Sequence, residues 1–293
     1  MTNQIRHFNL SLPHGITLAC RAAGAGRVRV MLLHGFPEAA FVWDEVMQRV
    51  APRAACVAPN LRGYIGSSAP TEVAAYRAKH VVGDIVAAIE SLGAPLDLLV
   101  AHDWGGALAW NLAAQRPELL RRLLIINSPH PATFLRELLH NPAQQAASAY
   151  MNFLCRPDAE GLLAEDEYRR LWPFLQGADW LTPDVREQYR QAWVNEGRGL
   201  TGPLNYYRAS PLRPPSGVDD PLHRVNLPDD TVTSRVPTTV LWGERDKALL
   251  PALLVGLERW VPQLKIERVP DASHWIVHEQ PGRVAELIVS LLS

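Results

Sequence analysis

The chain has 293 residues, of which 47% are hydrophobic and 20% are charged, and its formal net charge is -1. This composition indicates a globular protein with one sizeable core and room for an insertion. Without a basic excess, nucleic acid and an anionic membrane surface are not expected partners. The first residues carry no secretory signal pattern, and no apolar run reaches the roughly 18 residues of a membrane span. We therefore expect a cytoplasmic protein.

The first part of the chain alternates predicted strands with predicted helices. Residues 5–12 and 16–23 predict an antiparallel hairpin at a sheet edge, because Pro13, His14 and Gly15 separate them. Apolar periodicity then predicts strands at 28–33, 54–59, 96–101 and 119–127, and helices at 41–51, at 76–92 and after Asp103. This alternation requires a parallel sheet with right-handed crossovers.

The pattern changes after the fourth of these strands. Residues 129–227 form Pro-punctuated helical segments with many aromatic residues and no convincing strand. They predict a helical lid inserted into a core made of residues 1–128 and 228–293. In the second part of the core, strands are predicted at 238–242 and 265–269 and helices at 249–261 and 281–292.

The three cysteines, Cys20, Cys56 and Cys155, are odd in number and widely separated. This spacing favours reduced structural thiols over a disulfide framework or a metal site. Two of them should be buried in strands.

The sequence HDWGG at 102–106 marks an abrupt turn between a buried strand and a buried helix. Ala101, Gly105 and Gly106 are small enough for strand and helix to approach closely, so the turn can present Asp103 in a strained, exposed pose. A carboxylate facing a helix N-terminus stays ionised and can act as a nucleophile. The simpler interpretation is that Asp103 only caps the helix.

The loop HGFPE at 34–38 follows another buried strand. Gly35 and Pro37 fix a tight backbone path there, and the N–H of Phe36 is a candidate donor toward a neighbouring active site.

Two further candidates also follow predicted strands. Asp246 and His274 lie in loops that should emerge at the same sheet edge as Asp103, where open α/β sheets bind ligands. Each alone could be an ordinary loop residue. In the order Asp103, Asp246, His274 they predict a nucleophile, an acid that orients the base, and a base that activates water.

These motifs, together with GPLNYYR at 202–208 and SHW at 273–275, resemble the epoxide hydrolases of the α/β-hydrolase superfamily. The resemblance covers nearly the whole chain. It implies a mostly parallel central sheet with helices on both faces and a helical lid. It also implies a covalent ester on Asp103, an oxyanion hole from the backbone N–H groups of Phe36 and Trp104, and a small apolar epoxide and water as reactants. No cofactor or metal is implied.

The resemblance also implies two lid tyrosines that bind the ring oxygen of the epoxide. The second is Tyr207, which precedes the Arg of LNYYR, and the first is placed at Tyr150 by counting back from the Pro of RPDAE. An alkoxide is a poor leaving group until it is hydrogen-bonded or protonated, which two phenols can do. For the tyrosines at 168, 189 and 206 the sequence predicts packing alone.

Several alternatives stay open. A haloalkane dehalogenase would use the same three residues, but such enzymes often have Asn where this chain has Phe36. A fluoroacetate-type enzyme would need Arg at the places of Trp104 and Ala107. A non-catalytic ligand-binding protein of the same fold is a more remote option.

His278 lies four residues after His274, as in an H-E-x-x-H zinc motif, but the Glu of that motif is missing. A metal site at these histidines is therefore not expected. The oligomeric state, including a homodimer, is left open.

Overall fold

The computed structural model describes residues 4–175 and 179–292. Residues 1–3 and 293 of the predicted core, and 176–178 of the predicted lid, lie outside this part of the chain. The described residues form one eight-stranded sheet. Its strands are β1 (Arg6–Ser11), β2 (Thr17–Ala23), β3 (Val28–Leu33), β4 (Ala55–Pro59), β5 (Leu98–His102), β6 (Leu123–Ile126), β7 (Thr238–Gly243) and β8 (Leu264–Val269).

The strand order is β1-β2-β4-β3-β5-β6-β7-β8. The β1–β2 and β2–β4 pairs are antiparallel, and β4, β3, β5, β6, β7 and β8 pair in parallel. This confirms the predicted edge hairpin and the predicted mostly parallel sheet. It also confirms that two cysteines are buried in strands, Cys20 in β2 and Cys56 in β4.

Helices cover both faces of the sheet and fill the segment between β6 and β7. They are α1 (Asp44–Val50), α2 (Ala78–Leu92), α3 (Asp103–Gln115), α4 (Pro131–His140), α5 (Pro142–Ala147), α6 (Tyr150–Leu154), α7 (Ala159–Tyr168), α8 (Pro183–Val194), α9 (Thr201–Ala209), α10 (Asp229–Val232), α11 (Ile276–Glu279) and α12 (Pro281–Leu291). Between β6 and β7 the described residues contain helices α4 to α10 and no strand. Across the same described ranges, no helix is both long enough and apolar enough to cross a membrane.

Strand β5 shows why a continuous apolar run is needed at the centre. Leu98 and Val100 point into the core on one face of the sheet, and Leu99 and Ala101 point into the core on the other. Successive side chains of a strand alternate between faces, so a strand covered on both sides has no polar position.

Two predicted elements differ from the structure. The helix predicted at 249–261 is wrong: only two short 3-10 turns form, Pro251–Leu254 and Leu257–Arg259. Pro251 and Gly256 explain this, since Gly256 adopts φ +75° and interrupts any regular helix there. The strand predicted at 119–127 is shorter, because a 3-10 turn at Pro117–Leu119 precedes β6.

Helix α9 lies directly against the loop that follows β4. A Cβ added at Gly202 would stand 2.5 Å from the Cα and the carbonyl oxygen of Gly63. Two backbones therefore touch here, and neither can yield as a flexible side chain would. The hydroxyl of Tyr206, on the same helix, donates to the Arg62 carbonyl oxygen at 2.9 Å.

We predict that Gly202→Ala destabilises the protein by about 1–3 kcal/mol, the usual cost of forcing extra volume into a packed contact. The control is Gly161→Ala in α7, where a Cβ meets nothing within 4 Å. At this position Ala lowers the backbone entropy of the unfolded chain, so the free energy of unfolding should stay unchanged or rise slightly. Thermal or denaturant unfolding measures both variants, and an unchanged midpoint for Gly202→Ala would contradict the close contact.

Candidate active site

The junction between β5 and α3 holds Asp103 in an unusual backbone conformation. Asp103 is the first residue of α3 and has φ +49°, a region that residues other than glycine rarely adopt. A Cβ at Gly105 would stand 2.7 Å from the His34 carbonyl oxygen and from the Leu33 side chain. Helix α3 therefore lies in close contact with the end of β3 rather than with β5 alone, and this packing holds Asp103 in its strained conformation.

The two oxygens of the Asp103 carboxylate have different environments. The backbone N–H of Phe36 donates to Oδ1 at 2.8 Å. Oδ2 lies 3.7 Å from Nε2 of His274. The Ser128 hydroxyl, which the sequence analysis does not single out, donates to the Asp103 carbonyl oxygen at 2.7 Å. The loop after β3 thus contacts the carboxylate as predicted, and Oδ2 is the oxygen that faces the imidazole.

His274 and Asp246 form a close buried pair. Nδ1 of His274 lies 2.7 Å from Oδ2 of Asp246. Since an ionised carboxylate only accepts, Nδ1 carries a hydrogen and Nε2 is the nitrogen that faces Asp103. Burial alone would lower the pKa of His274, but the carboxylate of Asp246, helped by those of Asp103 and Glu38, raises it to about 9.

Asp246 is fully enclosed and yet well supplied with donors. The N–H groups of Ala248 and Leu249 both donate to Oδ1 at 2.9 Å, and the Asn127 amide donates to Oδ2 at 2.8 Å. Burial by itself would raise the pKa of Asp246. The charge and hydrogen bond of His274, with these further donors, hold the pKa below its usual value.

Asn127 is a site residue that the sequence analysis does not identify. It follows β6 with φ +38°, and its Oδ1 accepts from the Gly243 N–H at 2.8 Å while its amide reaches Asp246. An Asn directly after a central parallel strand is the available signal, because it falls at the same sheet edge as the other candidates.

A second buried polar cluster lies behind His274. Nδ1 of His102 is 2.9 Å from Oε2 of Glu38, and Nε2 of His102 is 2.9 Å from the His274 carbonyl oxygen. The Glu38 carboxylate and the His274 carbonyl oxygen can both accept hydrogen bonds from the imidazole of His102. The Glu38–His102 pair therefore fixes the backbone of His274 from behind.

The cluster extends to the helical segment through Tyr189 in α8. The Tyr189 hydroxyl lies 2.9 Å from Nε2 of His278 and 3.3 Å from Oε1 of Glu38. The prediction that Tyr189 only packs is wrong, because its hydroxyl completes this polar cluster. Sequence reasoning could not find the contact, since 151 residues separate Tyr189 from Glu38.

Tyr150 and Tyr207 both lie at the cavity that opens beside Asp103. The cavity has a volume of about 240 Å³ and is lined mainly by apolar side chains together with Asp103, Trp104 and four tyrosines, which include these two, Tyr76 and Tyr206. The rings of Tyr150 and Tyr207 are perpendicular, with centroids 6.2 Å apart. Burial, with the nearby carboxylate of Asp103, raises the pKa of both phenols, so both stay protonated and can donate.

Tyr206, next to Tyr207, has a different orientation. Its hydroxyl is committed to the Arg62 carbonyl oxygen. The prediction that Tyr206 only packs is wrong in the same way as that for Tyr189, because its hydroxyl makes a buried hydrogen bond. Since that hydroxyl is already bonded, Tyr206 provides a natural control for Tyr207.

The fold and this arrangement define a class of protein. The alpha/beta hydrolase fold family model matches residues 28–281, and the chain belongs to this family. It is 35% identical over 285 residues to the AB hydrolase superfamily protein YfhM of Bacillus subtilis, with 95% of each chain covered. It is 32% identical to epoxide hydrolase 3 of Xenopus tropicalis, covering 95% of this chain and 75% of that protein.

A solved structure of similar shape is the Bacillus megaterium epoxide hydrolase in complex with an inhibitor. The TM-score is 0.87 at 30% identity, covering 97% of this chain and 99% of that one. These comparisons confirm the resemblance to the epoxide hydrolases of the α/β-hydrolase superfamily.

We predict that stability falls as the pH rises from about 6.5 to about 9 because of His274. Its pKa is about 9 in the folded protein and 6.5 ordinarily, so folding retains a proton that the unfolded chain releases in this window. This contribution is fully present below pH 6.5 and is lost as the pH rises through 9.

Unfolding midpoints across this window, in the wild type and in His274→Gln, measure the effect. The variant should show the shallower pH dependence. The buried histidines His34 and His130 have pKa values lowered to about 4 and therefore titrate below the window. Parallel profiles for the two proteins would contradict the prediction.

Proposed function

We propose that this protein hydrolyses an apolar epoxide to a vicinal diol through an ester on Asp103. The observation that carries the proposal is the cavity lined by Asp103 and by two protonated phenols, Tyr150 and Tyr207. A carboxylate attacks carbon, and phenols supply what an alkoxide leaving group needs. Relatives whose names include epoxide hydrolase support the same reaction.

In the first step Oδ2 of Asp103 attacks one ring carbon. The new bond joins Oδ2 to that carbon, and the bond between this carbon and the ring oxygen breaks. A phenol of Tyr150 or Tyr207 gives its proton to the ring oxygen. Oδ2 is favoured as the attacking atom because Oδ1 accepts the Phe36 N–H and so already occupies the position of the ester carbonyl oxygen.

In the second step water cleaves the ester at the carboxyl carbon. Nε2 of His274 takes one proton from the water, and hydroxide adds to that carbon. The charge that develops on Oδ1 is stabilised by the N–H of Phe36 and, in this proposal, by that of Trp104 in the first turn of α3. The bond to the alkyl oxygen then breaks, and the diol takes the proton held by His274. The second water proton restores the tyrosine.

Ester formation also adjusts the base. The negative charge of Asp103 is one cause of the raised pKa of His274, and esterification removes that charge. The pKa of His274 therefore falls when the imidazole has to accept a proton. Asp246 keeps the ring oriented throughout.

Residues 129–227 form the lid in this proposal, with the core at 1–128 and 228–293. The lid supplies both phenols and much of the apolar lining, so it keeps bulk water away from the ester. A haloalkane dehalogenase would use the same triad. A halide leaving group needs no proton, however, so that reaction would not require the two buried phenols. The side chain of Phe36 cannot donate to halide.

We predict that His274→Gln stops after the first step, because glutamine cannot act as the base for water. Intact mass after mixing with styrene oxide should show an adduct of substrate mass, located on the peptide that contains Asp103. Asp103→Asn, checked for deamidation, should show no adduct. An unmodified His274→Gln protein, under conditions in which the wild type turns over, would contradict the assigned role.

We predict that Tyr207→Phe slows epoxide opening by roughly 10² to 10⁴, the contribution of a positioned acid. Tyr206→Phe is the matched control: it loses only a hydrogen bond to a backbone carbonyl and should change the rate little. Diol formation under single-turnover conditions measures both, with thermal melting as a check of folding. If the wild type instead releases halide from haloalkanes and opens no epoxide, the dehalogenase function replaces this one.

A further inference from the structure

The cavity beside Asp103 follows one face of helix α3. Asp103, Trp104, Ala107, Leu108 and Asn111 line it, at the spacing of a single helical stripe. The stripe from Asp103 to Asn111 is about 12 Å long at the rise of an α-helix. The cavity therefore leads from the carboxylate along the helix for the length of an extended alkyl or aryl substituent.

The surface that faces this stripe is apolar. It comes from the residues after β6, from α4 and α6, and from the chain that precedes β7. Its main members are Pro129, Pro131, Phe134, Met151, Leu212 and Val225. A substituent lying here meets hydrocarbon on nearly every side, and its burial is favourable without any charged partner.

Two further aromatic residues pack against Tyr150 and His274. The ring of Phe174 meets the ring of Tyr150 edge to face, with centroids 5.7 Å apart. The indole N–H of Trp275 donates to the Phe174 carbonyl oxygen at 2.9 Å, and the Trp275 ring lies 4.9 Å from that of His274. We call Phe174 and Trp275 the aromatic wall. Within the described part of the chain, neither residue of the wall lines the cavity.

The second tyrosine is also packed between other rings. Phe36 meets the Tyr207 ring edge to face at 5.2 Å, and Trp104 does so at 5.0 Å. The rings of both phenols are thus held by neighbouring rings, and the cavity extends from them along α3. An epoxide whose oxygen lies between them can extend one substituent along α3, and a second substituent would meet the aromatic wall.

We propose that the substrates are terminal epoxides. Their single apolar substituent lies along the α3 stripe, and their unsubstituted CH₂ carbon faces the aromatic wall. This inference rests on the proposed function and narrows it, because an internal epoxide with a chain on each carbon would have to displace Phe174 or Trp275.

Two isomers of the same formula test the proposal: 1,2-epoxyoctane and trans-4,5-epoxyoctane. They have equal carbon counts, so a difference in kcat/KM reports shape rather than hydrophobicity. The wild type should prefer the terminal isomer by about 10- to 100-fold, the effect expected when a packed wall has to move to admit a propyl group. Diol formation is measured for each isomer separately.

The second measurement is the isomer preference of a variant with a smaller side chain in the aromatic wall. Phe174→Ala should reduce the preference by raising kcat/KM for the internal isomer relative to the terminal one. The control is Trp172→Ala, which removes a large ring from the same 3-10 turn. In the described part of the chain that ring packs on Trp193 at 4.5 Å and makes no ring contact with Phe174 or Trp275, so the isomer preference should stay as in the wild type. If Phe174→Ala does not fold, Phe174→Leu is used instead.

The outcomes separate this inference from the function on which it rests. Comparable kcat/KM values for the two isomers would overturn the terminal-epoxide assignment while leaving epoxide hydrolysis in place. A preference that persists unchanged after Phe174→Ala would overturn the role of the wall. If the wild type opens neither isomer nor styrene oxide, the proposed function fails, and the inference fails with it.

Discussion

The buried carboxylate of Asp246 is the constraint on which the site depends. A charge this far from water is tolerated only when donors replace its hydration. Backbone N–H groups of its own loop satisfy one oxygen, and Asn127 and His274 satisfy the other. The orientation of the imidazole is therefore a consequence of satisfying Asp246. Removing any one donor would leave part of this charge uncompensated.

A second polar cluster holds the same imidazole from its backbone. His102 links Glu38 to the His274 carbonyl oxygen, and Tyr189 and His278 continue the cluster to helix α8. The two clusters together surround the back of His274 with oriented dipoles in a largely buried region. Interactions of this kind are stronger there than in water, and a missing partner costs correspondingly more.

The helical segment between β6 and β7 is joined to the core at several points. Trp193 donates to the Pro37 carbonyl oxygen at 2.7 Å, and Asn195 donates to the Gly63 carbonyl oxygen at 2.9 Å. With the contact of Gly202 on Gly63, these bonds fix the position of α9 and so of Tyr207. The position of the Tyr207 phenol therefore depends on these contacts between the helical segment and the core.

The sequence by itself determined the sheet, its directions and the loops that carry Asp103, Asp246 and His274. It could do so because a strand buried on both faces admits only apolar residues, and because parallel strands bring their following loops to one edge. Motifs within a few residues, such as HGFPE and HDWGG, were equally readable, since their backbone constraints are local.

Only the tertiary structure decided which distant groups meet. Asn127 reaches Asp246 across 119 residues and Tyr189 reaches Glu38 across 151, and neither pair leaves a periodic signal in the chain. The helix predicted at 249–261 does not form for a related reason. Its apolar pattern is a local signal, and Gly256 and the surrounding packing override it. The one-sided cavity also arises from contacts between segments far apart in sequence. Local preference sets the elements, but the shape of a site depends on long-range packing that no short window of sequence contains.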